Sequence, residues 1–446
     1  MKKRTFLKTT SAIMAGSVFT PMIACKESKP GLKNWAKNLT YSTNNIHHPT
    51  SLEEVQTLVA KLPSLKGLGS RHSFNTIADS KHQLVSLKNM KKVVSLDKTG
   101  RKVTVEAGSR YGDICEYLER QGFALHNMAS LPHISIAGAG ATATHGSGVN
   151  NQALSSGISA VEIVKADGEV VNLSREKNGE QFYGAVVGVG ALGVVTKVTL
   201  DLFPTYKMQQ IVYRNIPMSS LENDFDTIMS SGYSVSLFTD WRNKNINEVW
   251  IKSRTDATES VSGNEYYGGT LADRHLHPVE SQSAESCTEQ MGIEGAWYER
   301  LPHFKMEFTP SSGEELQAEY FVPMEYGYKA VMAVESLNEK ISPHLYISEV
   351  RTIAEDNHWM SPAYKKPCVS IHFTFKPQWE AVQKILPLIE QVLDPYFVRP
   401  HWGKLFTMAP FVLHSRIEKL TQFRELAQDF DPDGKFRNDF LRKNVF

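Results

Sequence analysis

Four side chains in the second half of the sequence are spaced to act together. Residues 346–352 read Tyr-Ile-Ser-Glu-Val-Arg-Thr. Glu349 and Arg351 stand two apart, so on a strand they share a face. Residues 369–375 read Val-Ser-Ile-His-Phe-Thr-Phe. His372 and Thr374 share a face in the same way, while Ile371, Phe373 and Phe375 turn to a core. Two such strands can line one wall with a carboxylate, a guanidinium, an imidazole and a hydroxyl. That wall suits a ligand with several hydroxyls, because each buried hydroxyl left bare costs about 1–3 kcal/mol. The same alternation also describes the wet face of an ordinary antiparallel sheet. Lys404, in His-Trp-Gly-Lys, reads on sequence alone as a solvated lysine.

Two glycine-rich stretches carry a second kind of chemistry. Residues 67–75 read Gly-Leu-Gly-Ser-Arg-His-Ser-Phe-Asn, and glycines recur at 138, 140, 146 and 148 within 130–150. The second stretch adds hydroxyls at Ser135, Thr142, Thr144 and Ser147. Small residues let backbone approach a bulky ligand, and N–H groups in turns cradle anionic oxygens. Two such loops can close on one long, phosphate-bearing ligand. A tightly packed turn region inside a sheet gives the same composition.

The wording Gly-Ser-Arg-His-Ser-Phe-Asn at 69–75, then His-Asn-Met-Ala-Ser-Leu-Pro-His-Ile-Ser-Ile-Ala-Gly at 126–138, resembles the vanillyl-alcohol oxidase (PCMH-type) flavoproteins. Within them it is similar to the alditol oxidase and aldonolactone oxidase branch. The resemblance implies an α+β chain, with a PCMH-type FAD-binding domain of two α+β subdomains and an antiparallel-sheet cap domain. It implies FAD bonded covalently through His72 to the flavin 8α-methyl. The residues it places around FAD are Gly67, Gly69, Ser70, Arg71, Ser73, Ser130, Ser135, Gly138, Thr142, Ala143, Thr144, His145, Gly193 and Val194.

The resemblance also gives the polar wall its roles. Glu349 accepts hydrogen bonds from polyol hydroxyls, and Arg351, His372 and Lys404 surround the reacting carbinol. Thr374 and Ser130 line the pocket beside the isoalloxazine. The implied reaction is oxidation of the primary alcohol of an alditol of xylitol or sorbitol size to the aldose, by hydride transfer to flavin N5. Lys404 and Arg351 stabilise negative charge there, and His372 is the candidate proton acceptor. The small residues at 137–141 are compatible with O2 as electron acceptor. An aldono-1,4-lactone is the neighbouring substrate class, and an exported lipoprotein that binds sugar or flavin without turnover is a third reading. The Ser-Glu-Val-Arg and Ile-His-Phe-Thr wording favours the alditol.

These residues need a scaffold of more than one core, since 446 residues exceed what one core usually serves. The FAD-binding domain is expected over 38–204, the cap over 205–400, and a segment returning to the FAD domain over 401–446. A capping box at Ser51-Leu-Glu-Glu54 opens a helix. Strands are expected at 84–87, 93–96 and 102–107, a helix at 111–121, and a hairpin joining 160–165 to 169–173. The polar segment 256–269 reads as a surface excursion.

Residues 188–193 match the dinucleotide fingerprint G-x-G-x-x-G, but a helical 179–185 precedes them and a strand at 194–200 follows. The fingerprint needs the opposite order, so a Rossmann site is not expected.

Residues 1–30 read as an export segment. Lys2, Lys3 and Arg4 precede an apolar run too short to span a bilayer, and Met22-Ile-Ala-Cys25 resembles a lipobox. Lys3-Arg-Thr-Phe-Leu-Lys8 resembles a twin-arginine signal. The expected place is the periplasm or cell envelope, with the membrane reached only through a lipid on Cys25. A net charge of +1 gives no electrostatic case for nucleic acid. Cys115, Cys287 and Cys368 make no disulfide framework, and no His/Cys spacing suggests a metal.

Overall fold

The computed structural model describes residues 31–257, 261–308 and 314–446. The export and lipid-anchor expectations for 1–30 therefore lie outside the described residues. Among those described, no helix is long and apolar enough to cross a membrane, and the three cysteines are free and buried.

The first half carries a five-stranded antiparallel sheet. Its order is Val93–Asp97, Lys102–Glu106, Val194–Asp201, Ile158–Val164, Val170–Ser174. Beside it, a three-stranded parallel sheet places Leu84–Ser86 between Ile46–His47 and Lys66–Leu68. The helix Leu52–Lys61 begins where Ser51 Oγ accepts the Glu54 N–H at 3.3 Å. The Glu54 carboxylate reaches back to the Thr50 N–H, at 2.7 Å, rather than to Ser51. Val55 and Val59 bury that helix against Val164, Val194 and Phe436.

The helix preceding the 188–193 match runs Arg175–Val186, longer than the expected 179–185, with Gly179 breaking its geometry at φ 47°. A strand, Val194–Asp201, follows. The order is indeed opposite to the fingerprint. Gly193 sits at φ 140°, and a Cβ there would meet Val164 O at 2.3 Å. This glycine serves strand packing.

The cap is one antiparallel sheet of ten strands, all between Lys207 and Pro400. Its heart runs Asn245–Arg254, Ser234–Thr239, Leu345–Ile353, Cys368–Phe375, Leu316–Pro323. Val350, Ile371, Phe373 and Phe375 turn to one face and pack on Val331, Ile385, Leu386 and Ile389 of two covering helices, Gly327–Glu335 and Trp379–Leu393. The opposite face looks at the first half.

Part of the expected excursion at 256–269 is sheet instead. Glu265–Tyr266 and Gly269–Leu271 form a hairpin on the Lys207–Pro217 strand, with Tyr266 stacked 4.9 Å from Tyr213. The aromatic contact outweighs the Gly/Ser composition that suggested a free loop.

The two halves are joined at many points. Gly148 N–H donates to Thr352 O at 2.9 Å, and Asn151 Nδ2 to Tyr233 O at 2.8 Å. The last stretch of chain returns to the first half. Lys435 Nζ donates to Val59 O and Ala166 O, both at 2.6 Å. Asn438 Nδ2 reaches the carbonyls of Thr76, Ile77 and Asp79 at 2.8–3.1 Å.

Candidate active site

Strand register assembles the polar wall. Phe238 lies opposite Glu349, Glu349 opposite His372, and His372 opposite Glu319. These four residues form one cross-strand row facing the first half. Thr374 lies opposite Gln317, and a register shift between Leu345 and Ile347 turns both Tyr346 and Ile347 toward the same cavity. Such a bulge re-aims side chains where a regular strand would alternate them.

The segment after Pro400 completes the wall. His401 N–H donates to Glu319 O at 2.9 Å and Leu405 N–H to Gln317 O at 2.9 Å. Trp402, Gly403 and Lys404 arch out between these bonds. Asn75 Nδ2 grips the arch, donating to Trp402 O at 2.8 Å and Lys404 O at 2.7 Å.

The result is a buried charge network. Glu319 Oε2 accepts from Lys404 Nζ at 2.6 Å, and Oε1 from Arg351 Nη2 at 3.0 Å, with His145 Nε2 3.1 Å away. Glu349 Oε1 accepts from His303 Nε2 at 2.7 Å and lies 3.5 Å from Arg351 Nε. Burial would raise both carboxyls. For Glu319 the charges of Lys404 and Arg351 with the contact of His145 outweigh it, and for Glu349 the charge of Arg351 with the hydrogen bond of His303; both sit well below the usual carboxylate range. Burial lowers Lys404 against the pull of Glu319. Burial, then the Lys404 charge, pushes His372 down to about 4. His372 is therefore neutral, and its Nε2 is buried with no hydrogen-bond partner among the described residues.

Opposite this wall lie the two glycine stretches. They interlock: Ser135 N–H donates to Ser70 Oγ at 2.9 Å and Ser70 N–H to Ser135 Oγ at 3.3 Å. A Cβ at Gly69 or at Gly138 would meet Ser135 Oγ at 2.7 Å, so a side chain at either place would displace the hydroxyl that joins the stretches. The second is not all loop, since Ile136–Ala141 form a short helix. Glycine disfavours helix, but a Cβ at Gly140 would strike Ile158 Cδ1 at 2.7 Å. Close packing on the sheet explains that residue.

The cavity between wall and glycines encloses about 1770 Å³ of empty space, the open mouth included. Gly67, Gly69, Ser70, Arg71, His72, Ser73, Ser130, Ser135, Gly138, Thr142, Thr144 and His145 all line it, as do Glu349, Arg351, His372, Thr374 and Lys404. Three expected cofactor contacts do not line it: Ala143, Gly193 and Val194. Ala143 turns inward at φ 52° and is buried. In place of Gly193 and Val194, the preceding turn at Val189 and Gly190 faces the cavity.

Several lining residues escaped the sequence reading: Glu319, His401, His303, Lys66 and Trp35. Glu319 had a signal, because Gln317 and Glu319 show the same two-residue spacing as Glu349 and Arg351. Trp35 belongs to 31–37, outside the expected first domain, yet its ring stacks 5.3 Å from His72. Its N–H donates to Arg71 O at 2.9 Å, and Arg71 is held at φ 65° with Nη1 on Lys33 O.

The residues fit a flavin dinucleotide. His72 Nδ1 lies 3.0 Å from Ser70 Oγ, while Nε2 is buried with no hydrogen-bond partner among the described residues. Burial, then the nearby His133, lowers this imidazole to about 4. It is neutral, with a lone pair available. A Cβ at Gly67 would meet nothing within 4 Å, so the backbone there is open to a ligand.

The buried imidazoles also set acid stability. Burial pushes His72, His303 and His372 to about 4 and His358 to about 3. Unfolded, each titrates near about 6.5, so the unfolded chain binds protons that the folded one refuses. Stability is then full above about 6.5 and is lost progressively as pH falls toward 4. Burial also raises Glu248 to about 7 and Asp356 to about 6. These two act in the opposite sense but are outnumbered. Tm should therefore drop between about pH 7.5 and about pH 5; a Tm rising toward acid would contradict this.

A profile described as an FAD binding domain matches residues 44–174, and one described as D-arabinono-1,4-lactone oxidase matches residues 304–444. An alditol oxidase from Streptomyces sp. is 43% identical over 412 residues, covering 92% of this chain and 97% of that protein. An L-gulono-1,4-lactone dehydrogenase from Mycobacterium tuberculosis is 27% identical over 435 residues, covering 93% and 99%. Among solved structures, the fold matches cholesterol oxidase from B. sterolicum (TM-score 0.75, 14% identity, 93% and 96% covered). It also matches a carbohydrate oxidase from Microdochium nivale (TM-score 0.72, 16% identity, 93% and 94% covered). With both profiles in register on the two halves and a full-length relative at this identity, the chain belongs to the alditol oxidase and aldonolactone oxidase family of FAD-dependent oxidoreductases acting on CH–OH groups.

Proposed function

We propose that the protein oxidises the primary alcohol of an alditol, such as xylitol or sorbitol, to the aldose, with FAD tethered through His72 and O2 as electron acceptor. The observation that carries the reading is the buried wall. Glu349 and Arg351 are about 5% and 4% exposed, which is not the wet face of a sheet. Glu349 Oε1 is engaged, whereas Oε2 lies 3.9 Å from His372 Nδ1 and accepts no hydrogen bond from the described residues. That oxygen is left to accept from a substrate hydroxyl.

FAD, when bound, supplies the hydride acceptor. The protein supplies orientation and charge. Thr374 and Ser130 offer hydroxyls to the polyol, and Ser130 Oγ also accepts from Arg351 Nη1 at 3.4 Å. Neutral His372 takes the hydroxyl proton at Nε2. Lys404 and Arg351 place fixed positive charge where oxyanion character develops, which is worth most in a site closed to water. A row of hydroxyl partners favours an open-chain polyol over a lactone ring, and the higher identity to an alditol oxidase supports the same choice.

Anaerobic mixing with polyols and lactones tests the reading. Xylitol or sorbitol should bleach the flavin band and aldono-1,4-lactones should not. The reverse pattern would make the protein a lactone oxidoreductase, and no bleaching would make it a binding protein. Stopped reactions with and without O2 identify the acceptor. His72→Ala should release all yellow colour into the trichloroacetic acid supernatant, whereas the unaltered protein should keep it in the pellet. Colour lost equally from both would refute the tether.

The basic start and the Met22-Ile-Ala-Cys25 end of 1–30 support export to the cell envelope, with a lipid on Cys25. Labelled palmitate incorporation that survives Cys25→Ser would argue against the lipid.

A further inference from the structure

Beside Glu349, running from the cavity wall at His303 into the cap sheet, lies a chain of buried groups that the proposed chemistry does not use. Lys252, on the strand Asn245–Arg254, is 1% exposed. Its Nζ donates to Leu301 O at 2.7 Å and Pro302 O at 2.8 Å, and lies 3.1 Å from His303 Nδ1. His303 is held edge-on by Trp250 at 5.1 Å and Phe238 at 5.6 Å, so its ring cannot turn freely. Its other nitrogen, Nε2, meets Glu349 Oε1 at 2.7 Å.

Burial lowers Lys252 to about 7 against the pull of Glu349; in its ammonium form it has three donors and no acceptor. With two spent on carbonyls, the third points at Nδ1, which must then accept. The imidazole proton is consequently on Nε2 and is donated to Glu349. Without Lys252 the ring is free to carry its proton on Nδ1. It would then face the Glu349 carboxylate with a lone pair, and Glu349 would have to turn away or take up a proton.

We propose that Lys252 and His303 are positioning residues for substrate recognition: Lys252 fixes the His303 tautomer, and His303 holds Glu349 ionised with Oε2 turned to a substrate hydroxyl. The same segment braces the pocket directly, since the His303 and Phe304 N–H groups donate to Ser130 O at 3.1 and 3.2 Å. Neither Lys252 nor His303 touches the reacting carbon in this scheme. The proposal rests on the reading of Glu349 as a polyol ligand.

The test is the anaerobic dissociation constant of xylitol, taken from the saturation of flavin reduction, in Lys252→Met, Glu349→Gln and the double variant. Lys252→Met should weaken xylitol roughly tenfold, the scale of losing one charge-assisted hydrogen bond, with flavin content unchanged. The double variant should bind no worse than Glu349→Gln alone. Losses that multiply would overturn the relay, because Lys252 would then act elsewhere. If Glu349→Gln binds xylitol as the unaltered protein does, the reading of Glu349 itself fails. A second pair guards against misfolding of Lys252→Met. His303→Gln can still donate from its amide and should keep near-normal affinity, whereas His303→Leu should lose roughly tenfold. Equal loss in both would reduce His303 to a packing residue and overturn the proposal.

Discussion

Glu319→Gln should lower kcat/KM on an alditol by roughly 10²–10³, with flavin still bound. Glu319 holds Lys404 at 2.6 Å and Arg351 at 3.0 Å in a site where its carboxylate is about 1% exposed. Removing one member of a buried ion cluster leaves the others uncompensated, at about 3–5 kcal/mol. That cost falls on folding; the rate loss is that of displacing the preorganised charges of Lys404 and Arg351, roughly 10²–10³. The pH profile should report the cause. Burial already lowers Lys404, and Glu319 is the main charge opposing that. Without it the ammonium deprotonates at lower pH, so the alkaline limb of kcat/KM should move toward neutrality. A variant with unaltered rate and profile would remove Glu319 from the site.

Lys404→Ala should slow the reductive half-reaction by a similar factor, roughly 10²–10³, the usual effect of losing a preorganised charge at a developing anion. The two variants differ in what they leave behind. In Lys404→Ala, Glu319 keeps Arg351 and His145 close by, so the carboxylate remains compensated and folding should suffer less. The loss should therefore fall mainly on the rate of flavin reduction, measured anaerobically by stopped flow. The double variant should be less impaired than the product of the singles, because the residues share one contact. Flavin reduction by xylitol at the unaltered rate in Lys404→Ala would sink the site assignment.

Strand alternation made the cap wall legible. Glu349 with Arg351 and His372 with Thr374 lie on two paired strands, and the apolar partners Ile371, Phe373 and Phe375 are fully buried as the period demands. Glu319 was missed although the same rule covers it. Its strand continues Tyr-Phe-Val-Pro, an apolar run that hides the alternation of Gln317 and Glu319. Lys404 and His401 follow a different logic. No local pattern announces that they are enclosed, because Asn75, more than 300 positions away, closes the arch that carries them. The helix Ile136–Ala141 was hidden by its own glycines, whose low helix propensity is overridden by close packing on Ile158. Gly193 and Val194 were placed beside the cofactor by the resemblance alone; in the fold Gly193 packs on Val164 and Val194 opens a strand.

Asn75 has a mechanical role beyond satisfying two carbonyls. It sits three residues past His72, and Phe74 N–H also donates to Gly403 O at 2.7 Å. The loop bearing His72 and the arch bearing Lys404 are therefore tied together by three hydrogen bonds, even though they come from opposite ends of the chain. The spacing between His72 and Lys404 is thereby fixed by local bonds rather than by the packing of the cap sheet as a whole. A fragment ending near residue 204 would lose this clamp along with the Lys435 and Asn438 ties, and would have a nucleotide cradle with no floor. Contacts so far apart in sequence form slowly by topology, so flavin capture should follow them, an order that refolding followed by flavin fluorescence would check.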